Sequence, residues 1–331
     1  MTIIKTRADE SVSNGDLISE EVEETDVSHG SDDRIERSAG NGRERILDES
    51  GPGDGALTGV GGGSGPRAAL EASIVSSLDV DVGLRTAAEA SFDIAPAITP
   101  ESVIDDDGRR QIANTYAYPW RVHCSLRIIA RDGSAWLGTA FFISPRVLAT
   151  AGHNVFINGR DPDRRGWVRN IEVIPGRDGN ELPFGSALST RFYSVRGWAD
   201  DANTEFDYGA IVLDPSEALG NSTGWIGFGA YSDATLRSVW ANLSGYPSDR
   251  GRGREQWYMA RRVDSVSARK VFYDIDTFGG QSGSAVYRIK DGSRYAIGIH
   301  AYGVGARPLN SATRINRPAF DNLSAWKQAH Q

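Results

Sequence analysis

From Ile112 onward, hydrophobic residues occur in short runs rather than at helical spacing. Some runs alternate with polar residues, others are continuously apolar, and Gly, Pro, Asn or Asp bound most of them. Short apolar runs between turn residues are typical of strands in a β-sandwich or β-barrel. About 220 residues of this kind suit two small antiparallel barrels better than one sandwich. The clearest runs are Val122–Ile129, Gly138–Ile143, Ala210–Leu213, Val239–Leu243 and Tyr295–Ile299.

The end of the chain departs from this pattern. Between Pro318 and His330, the residues Phe320, Leu323 and Trp326 recur at helical spacing, and Pro318 stands where the first turn of a helix accepts proline. We therefore predict a C-terminal helix that packs on the β-structure through its apolar face.

The N-terminal third has a different composition. Residues 1 to about 65 are acidic, rich in Ser and Gly and almost free of aromatic residues, which predicts disorder because too little apolar surface is available for burial. Residues 68–91 carry enough Ala and Leu for a short helix. All eight tryptophans and all eleven tyrosines lie at or after Tyr116, which places the packed core in the rest of the chain.

Charge follows the same division. The chain carries a net charge of −8, made up of −14 in residues 1–110 and +6 in residues 111–331. Two hypotheses stay open for the acidic segment: a solvated tail, or a pro-segment that shields a basic surface.

Composition excludes several classes of protein. The 331 residues suffice for a sizeable core, and the single cysteine, Cys124, excludes a disulfide within the chain and a Cys-rich zinc site. No apolar run approaches the roughly 20 residues of a membrane span, and the net negative charge is unusual for a nucleic-acid binder. The first ten residues lack the basic start and apolar core of a standard signal peptide. We expect neither a nucleic acid nor a membrane as partner.

Three segments carry candidate chemistry. They contain His153 after an apolar strand, Asp207 before another, and Ser282 in a glycine-rich loop, separated by 54 and 75 residues. A serine hydroxyl becomes a nucleophile when a histidine takes its proton, and a buried carboxylate holds that imidazole in the required tautomer. The order His, Asp, Ser is that of the chymotrypsin-like arrangement. The backbone amides of Gly280 and Ser282 are candidate donors of an oxyanion hole.

Each signal has an ordinary structural explanation when it stands alone. A histidine after a strand is often a buried structural residue, an aspartate before a strand is often a turn or cap, and Gly-x-Ser-Gly arises by chance in glycine-rich loops. The three together, in this order and at strand ends, are far more specific.

These segments resemble the trypsin-like serine peptidases, and more closely the bacterial glutamyl endopeptidases of Bacillus and staphylococci. The resemblance runs over nearly all of residues 102–331. It is carried by Ser102-Val103-Ile104, Asn114-Thr115, Ser189-Thr190-Arg191, Asp207-Tyr208-Gly209-Ala210-Ile211, Ser244-Gly245-Tyr246-Pro247, Asp276-Thr277, Gly279-Gly280-Gln281-Ser282-Gly283-Ser284, Thr313-Arg314-Ile315 and Phe320-Asp321-Asn322-Leu323.

The resemblance implies an all-β fold of two antiparallel six-stranded barrels with a C-terminal helix. It implies a serine endopeptidase without a cofactor or metal, in which Ser282 is the nucleophile, His153 the general base and Asp207 the orienting carboxylate. The family prefers to cut after glutamate, and the positions that match its specificity residues are Thr277 and His300. A hydroxyl and an imidazole suit a buried substrate carboxylate, which needs donors. For both residues, a purely structural role in a strand stays open.

Processing of the chain is implied in the same way. The family removes an N-terminal pro-segment, its mature start aligns with Ser102 or Val103, and the preceding residue is Glu101. An enzyme that cuts after glutamate would process itself between Glu101 and Ser102. The expected division is therefore an acidic, mostly disordered pro-segment over 1–101 and a peptidase domain over 102–331, with an ordinary tail as the alternative.

Two departures from the family affect localisation. Bacillus members carry disulfide-forming cysteines, one of them directly after the catalytic histidine where this chain has Asn154, and no standard signal peptide is visible in this chain. The family is secreted, whereas one cysteine and no visible signal peptide leave a cytoplasmic location open. We expect a monomer that acts on proteins or peptides. A peptidase of other specificity and a non-catalytic binding module on the same fold remain as alternatives.

Overall fold

A computed structural model describes residues 5–15, the backbone of 34–36, and residues 85–91, 102–104, 106–303 and 309–331. Within these ranges the chain forms twenty strands and six α-helices joined by short 3₁₀ turns. The strands are β1 (Ser11–Ser13), β2 (Arg34–Glu36), β3 (Arg110–Gln111), β4 (His123–Ile129), β5 (Ala135–Phe142), β6 (Val147–Thr150), β7 (Phe156–Ile157), β8 (Gly166–Trp167), β9 (Asn170–Pro175), β10 (Ala187–Ser189), β11 (Arg191–Val195), β12 (Gly209–Val212), β13 (Gly227–Ala230), β14 (Trp240–Gly245), β15 (Trp257–Arg262), β16 (Ser265–Val266), β17 (Lys270–Tyr273), β18 (Ala285–Lys290), β19 (Ser293–Tyr302) and β20 (Asn310–Arg314). The helices are α1 (Ala87–Ser91), α2 (Gly152–Val155), α3 (Arg196–Ala199), α4 (Gly220–Thr223), α5 (Asp233–Arg237) and α6 (Arg317–Ala329).

Two large sheets contain almost all of these strands. The first has eight strands in the order β1-β11-β12-β6-β5-β4-β9-β10. The second has ten: the path β16-β17-β20-β19-β18-β14-β15-β3, with β13 and β2 added beside β19. Neighbouring strands are antiparallel except β13 and β19, and β7 and β8 form a separate small pair. Consecutive strands joined by tight turns produce this arrangement, as the alternation of apolar runs and turn residues indicates.

Burial divides the apolar residues into three clusters. One fills the inside of the first sheet and includes Leu126 and Phe142, and a second fills the inside of the second sheet and includes Leu243 and Val286. The third lies between the sheets and includes Phe141 together with residues of α6. Because both faces of the central strands are buried, these strands contain short apolar runs rather than a strict alternation of apolar and polar residues.

Helix α6 closes the fold at the C-terminus. It begins after Asn316, whose side chain accepts a hydrogen bond from the backbone N–H of Ala319 at 3.1 Å. Phe320, Leu323 and Trp326 are buried, as their spacing predicts. None of the helices in the described ranges has the length and apolar character needed to cross a bilayer.

The predicted fold class is confirmed: an all-β protein of two antiparallel barrel-forming sheets with a C-terminal helix. Each sheet holds more than six strands: residues 102–331 supply seven to the first sheet and nine to the second, and β1 and β2 add one strand to each from the segment before residue 102. Cys124 is a buried free thiol on β4, and burial raises its pKa well above the ordinary value.

Parts of the N-terminal segment belong to this fold. Residues 5–15 pack on the first sheet, where β1 pairs with β11, and α1 is buried against the first sheet's core. Within the predicted disordered segment, residues 34–36 also form β2, which pairs with β13; the rest of that segment, and residues 68–84 of the predicted helix, lie outside the described residues. The sequence pattern missed residues 5–15 because their docking depends on partners far along the chain.

Two leucines of the first sheet provide a test of the core assignment. Leu126 on β4 is fully buried, and Leu188 on β10 is 55% exposed. We expect Leu126→Ala to lower the free energy of unfolding by about 2–5 kcal/mol, since it leaves a cavity, and Leu188→Ala to change it by less than about 0.5 kcal/mol. Urea denaturation of both variants measures the difference. Equal effects would contradict the assignment of β4 to the core.

Candidate active site

His153 lies in α2, one turn after β6 ends. The chain stays extended through Ala151 and then turns, so the imidazole is carried inward and is fully buried. Gly152 permits this approach: a Cβ at that position would lie 2.8 Å from the Trp198 ring and 2.9 Å from Asp207 Oδ1. A side chain at position 152 would therefore separate the histidine from its carboxylate.

Asp207 meets His153 through two contacts. It follows a 3₁₀ turn and precedes β12, which pairs with β6 and so fixes the distance between the two loops. The backbone N–H of His153 donates to Asp207 Oδ1 at 2.9 Å, and His153 Nδ1 lies 2.7 Å from Asp207 Oδ2. Because an ionised carboxylate only accepts, Nδ1 carries a proton, and Nε2 of the neutral ring is the acceptor.

Two further groups stabilise the fully buried Asp207 carboxylate. Tyr302, at the end of β19, donates its phenol hydrogen to Oδ2. Lys270, at the start of β17, lies with its ammonium 4.2 Å from the centre of the Tyr302 ring. Burial raises the pKa of Asp207, but His153, the hydrogen bonds from His153 and Tyr302, and the charge of Lys270 together hold it below the ordinary value. The site thus keeps an ionised carboxylate away from water.

Burial also changes the pKa of Lys270. Desolvation lowers its pKa to about 8, although the charges of Asp207 and Glu205 act in the opposite direction. Its ammonium donates to the Thr204 carbonyl and, at 3.3 Å, to Thr313 Oγ1.

Ser282 lies in the loop before β18, and its backbone is held from three sides. Its carbonyl accepts from Thr139 N–H at 2.9 Å and from the Asn154 amide at 3.0 Å, while the next amide, Gly283, donates to the His300 carbonyl at 2.7 Å. These contacts place Ser282 between β5, the residue after His153, and β19.

The glycines beside Ser282 are required by this loop. Gly280 and Gly283 have φ values of +103° and +92°, which other residues rarely adopt. A Cβ at Gly283 would also lie 2.0 Å from the Thr139 carbonyl oxygen. The predicted oxyanion donors, the amides of Gly280 and Ser282, lie on either side of Gln281 in this constrained loop.

His300 and Thr277 occupy buried positions in the second sheet. His300 Nδ1 lies 2.6 Å from the Tyr273 hydroxyl. The pKa of His300 is lowered to about 3, mainly by burial; a backbone hydrogen bond at Ser311 opposes this shift, and the charges of His153 and Lys270 add to it. The His300 carbonyl accepts from Gly283 N–H at 2.7 Å, so β19 contacts the serine loop at this residue.

Thr277 contacts the proposed mature terminus. Its N–H donates to the Ser102 carbonyl at 3.2 Å, and that carbonyl also accepts from the Asn310 amide at 2.7 Å. The hydroxyl of Thr277 is buried and has no hydrogen-bond partner among the described residues. Glu101, the other residue of the predicted processing site, lies outside the described residues.

Sequence reasoning missed Tyr302, Lys270 and Tyr273. Tyr302 stands two residues after His300 in one strand, which is a signal that both residues act at one site. Lys270 is a lone charge at the start of an otherwise apolar strand. Such a lysine is rarely buried without a partner, so it also gave a usable signal.

Comparison with known proteins finds similar sequences and similar solved structures among the proteases. A glutamyl endopeptidase of Bacillus licheniformis is 38% identical over 248 residues, which span 72% of this chain and 73% of that protein. A Bacillus subtilis protein named extracellular metalloprotease is 35% identical over 231 residues, 69% of this chain and 71% of that protein. A solved structure of a Glu endopeptidase in complex with MPD aligns with a TM-score of 0.58 at 28% identity, over 68% of this chain and 99% of that one. No protein-family model matches.

The name of the Bacillus subtilis relative implies a metal. In the ranges that the structure covers, no three His, Cys, Asp or Glu side chains are grouped closely enough to hold a metal ion. The side chains around His153 therefore do not fit a metal centre, and no step below uses one.

The buried histidines predict a pH dependence of stability. The pKa of His300 and that of His123 on β4 are each lowered to about 3 by burial, whereas an unfolded histidine titrates near about 6.5. Between these values only the unfolded chain binds the proton, so stability falls as the pH is lowered from about 6.5 towards 3. We expect His300→Gln to reduce the slope of unfolding free energy against pH by up to about 1.4 kcal/mol per pH unit between pH 5.5 and 4.

His123→Gln is the matched control. His123 lies on β4 whereas His300 lies on β19, and its substitution should reduce the slope by the same amount. Urea denaturation at four pH values measures both variants. An unchanged slope in His300→Gln would show that this histidine is protonated in the folded protein.

Proposed function

Because this chain belongs to the glutamyl endopeptidase family of trypsin-like serine proteases, we propose that it cuts peptide bonds after glutamate and, less readily, after aspartate. It is a hydrolase that acts on protein or peptide substrates. The observation that carries the mechanism is the buried pair of His153 and Asp207, joined at 2.7 Å and supported by a second contact from the His153 backbone.

In the proposed reaction, Ser282 Oγ attacks the carbonyl carbon of the scissile bond while His153 Nε2 takes its proton. Asp207 keeps the Nδ1 proton in place and stabilises the imidazolium that forms. The amides of Gly280 and Ser282 donate to the oxyanion, and each such donor contributes about 3 kcal/mol to lowering the barrier. The imidazolium then protonates the leaving amine, and water hydrolyses the acyl-enzyme by the same steps in reverse.

Recognition of glutamate is proposed for His300 and Thr277. If the Tyr273 hydroxyl donates to His300 Nδ1, the imidazole proton is on Nε2, where it is a donor for a carboxylate. The Thr277 hydroxyl supplies a second donor. A substrate carboxylate would also favour the protonated form of His300, which burial disfavours in the empty site.

The same site supports processing between Glu101 and Ser102. Ser102 is held beside Thr277 and Asn310, and the Asp276 carboxylate accepts from the N–H groups of Ile104 and Gly108, each at 2.7 Å. The segment after the proposed cut is therefore fixed next to the specificity residue Thr277. We accordingly divide the chain into a pro-segment, 1–101, and a peptidase domain, 102–331.

We also propose that the protein acts outside the cell as a monomer. The support for this location is the Bacillus subtilis relative, which is named an extracellular enzyme.

A set of fluorogenic peptides that differ only in the residue before the cut tests this specificity. We expect kcat/KM with Glu to exceed that with Gln by at least about tenfold, with Asp intermediate and Leu and Arg lower, because Gln has the shape of Glu without its charge. Ser282→Ala should abolish turnover.

The other outcomes are informative. Preference for an uncharged or basic residue would leave a trypsin-like peptidase without the roles given to Thr277 and His300. An absence of turnover both in the full chain and in the chain cut between Glu101 and Ser102 with its fragment retained would indicate a binding module on this fold.

Two tyrosines allow the two halves of the site to be separated. Tyr302→Phe removes a donor from the Asp207 carboxylate, so we expect kcat to fall about tenfold on every substrate with little change in KM. Tyr273→Phe removes the hydroxyl that contacts His300 Nδ1. The preference for Glu over Gln should therefore fall about tenfold, while the turnover of the Gln peptide stays unchanged. If both variants give the same kinetic pattern, the separate roles of the two tyrosines are wrong.

A further inference from the structure

Residues 5–15, here called the N-terminal strap, are bound to the domain from which the proposed processing would separate them. Within the strap, β1 pairs with β11 in antiparallel register from Ser11↔Val195 to Ser13↔Tyr193. Asn14 continues this pairing, since its side-chain oxygen accepts from Phe192 N–H at 2.7 Å and its amide donates to the Thr190 carbonyl at 2.6 Å. The strap therefore covers an edge of the first sheet.

Asp9 anchors the strap by a buried ion pair. Its side chain is fully buried, and the guanidinium of Arg269 donates to both carboxylate oxygens, at 2.8 and 3.0 Å. Burial raises the pKa of Asp9, but Arg269 and the hydrogen bonds from Thr6 hold it below the ordinary value. Removing one partner of such a pair leaves an uncompensated charge in the interior, which is strongly destabilising.

The C-terminal helix forms a third attachment. The Asn322 amide donates to the Asp9 carbonyl, and Trp326 Nε1 donates to Ser11 Oγ, each at 2.8 Å. The strap thus bridges the first sheet, the β16–β17 connection that carries Arg269, and α6. A loose tail would not be fixed by three separate elements.

The anchor also reaches the candidate active site. The Arg269 guanidinium lies 3.8 Å from the centre of the Phe206 ring, and Phe206 directly precedes Asp207. Asp9 therefore holds the arginine that packs against the residue next to the orienting carboxylate.

We propose that the N-terminal fragment stays bound to the peptidase domain through the strap after the chain is cut, so that the working enzyme consists of two chains. This inference rests on the proposed cleavage between Glu101 and Ser102. The surface formed by the edge of β11, Arg269, and Asn322 and Trp326 of α6 is a binding site for a short strand that buries an aspartate, and its occupant is residues 5–15 of this chain.

The packing of α1 and the pairing of β2 with β13 also attach this fragment, and a substitution at Asp9, which leaves both contacts unchanged, separates the strap from them. General charge attraction is a further competing explanation of retention. The fragment 1–101 carries a net charge of −13 and residues 102–331 carry +5. Attraction of this kind is screened by salt, whereas a buried pair and strand hydrogen bonds are screened far less. Salt concentration therefore distinguishes the two.

The experiment uses a full chain with Ser282→Ala and the recognition sequence of an unrelated site-specific protease inserted between Glu101 and Ser102. After cutting in trans, size-exclusion chromatography and mass spectrometry determine whether the fragments co-elute. We expect them to co-elute at 0.15 M and at 1 M NaCl. Separation at 0.15 M would overturn the proposal, and separation at 1 M alone would assign retention to general charge attraction and overturn it as well.

A matched pair of variants tests the anchor. Asp9→Asn keeps the shape but removes the buried charge, and we expect it to weaken retention at least about tenfold. Glu10→Gln removes a charge whose ion pair with Arg196 is about half exposed. The fragment with this substitution should be retained as strongly as the parent fragment. Equal retention of both would overturn the role of Asp9.

Two further measurements keep the questions separate. If the Asp9→Asn chain fails to fold, synthetic peptides replace it in the test. A peptide of residues 5–15 should displace the parent fragment, and the same peptide with Asp9→Asn should not. Equal effects of the two peptides would overturn the proposal. The intact mass of the wild-type chain aged in buffer tests self-processing alone. A chain that never loses the link at Glu101 would contradict the processing proposal while the engineered cut still decides the role of the strap.

Discussion

A carboxylate without contact with water lies at the centre of this structure. Burying the Asp207 charge costs several kcal/mol unless donors and positive charge surround it. These come from separate parts of the fold: His153 after β6, Tyr302 at the end of β19 and Lys270 at the start of β17. His153 follows a strand of the first sheet, whereas Tyr302 and Lys270 belong to the second. The Asp207 carboxylate therefore has all of its partners only when the two sheets are packed in this relative position.

Hydrogen bonds from two uncharged side chains hold the parts of the site together. Asn154, which follows His153, donates to Thr150 Oγ1 at 2.8 Å and to the Ser282 carbonyl at 3.0 Å. On β5, Thr139 Oγ1 donates to the Gly280 carbonyl at 2.8 Å and accepts from Tyr246 N–H at 3.1 Å. Two uncharged side chains thus connect the serine loop to the histidine turn and to both sheets. In a dry interior such bonds are costly to break, since each would leave an unsatisfied group.

Local pattern was enough to predict the strands, helix α6 and the segments around His153, Asp207 and Ser282, because apolar runs, turn residues and glycines act over a few residues. The approach of His153 to Asp207 followed from their positions at neighbouring strand ends. The roles of Thr277, His300 and Glu101 came from resemblance and stay predictions. The pairing of Asp9 with Arg269, 260 residues away, and of Tyr302 with Asp207, 95 residues away, left no trace in any short window. Such contacts depend on how the sheets pack, which periodicity does not encode.

The strap also has a consequence for the order of folding. It is synthesised well before its partners Arg269, Asn322 and Trp326, which follow up to 315 residues later in the chain. Its docking therefore has to wait until α6 has formed, and closing so long a loop becomes favourable only once the partners are in place. An occupied strap site marks a chain that has completed its fold. Cleavage at Glu101 before that moment would release the strap from a domain not yet able to hold it, so the timing of the cut relative to docking decides whether one chain gives one assembled enzyme.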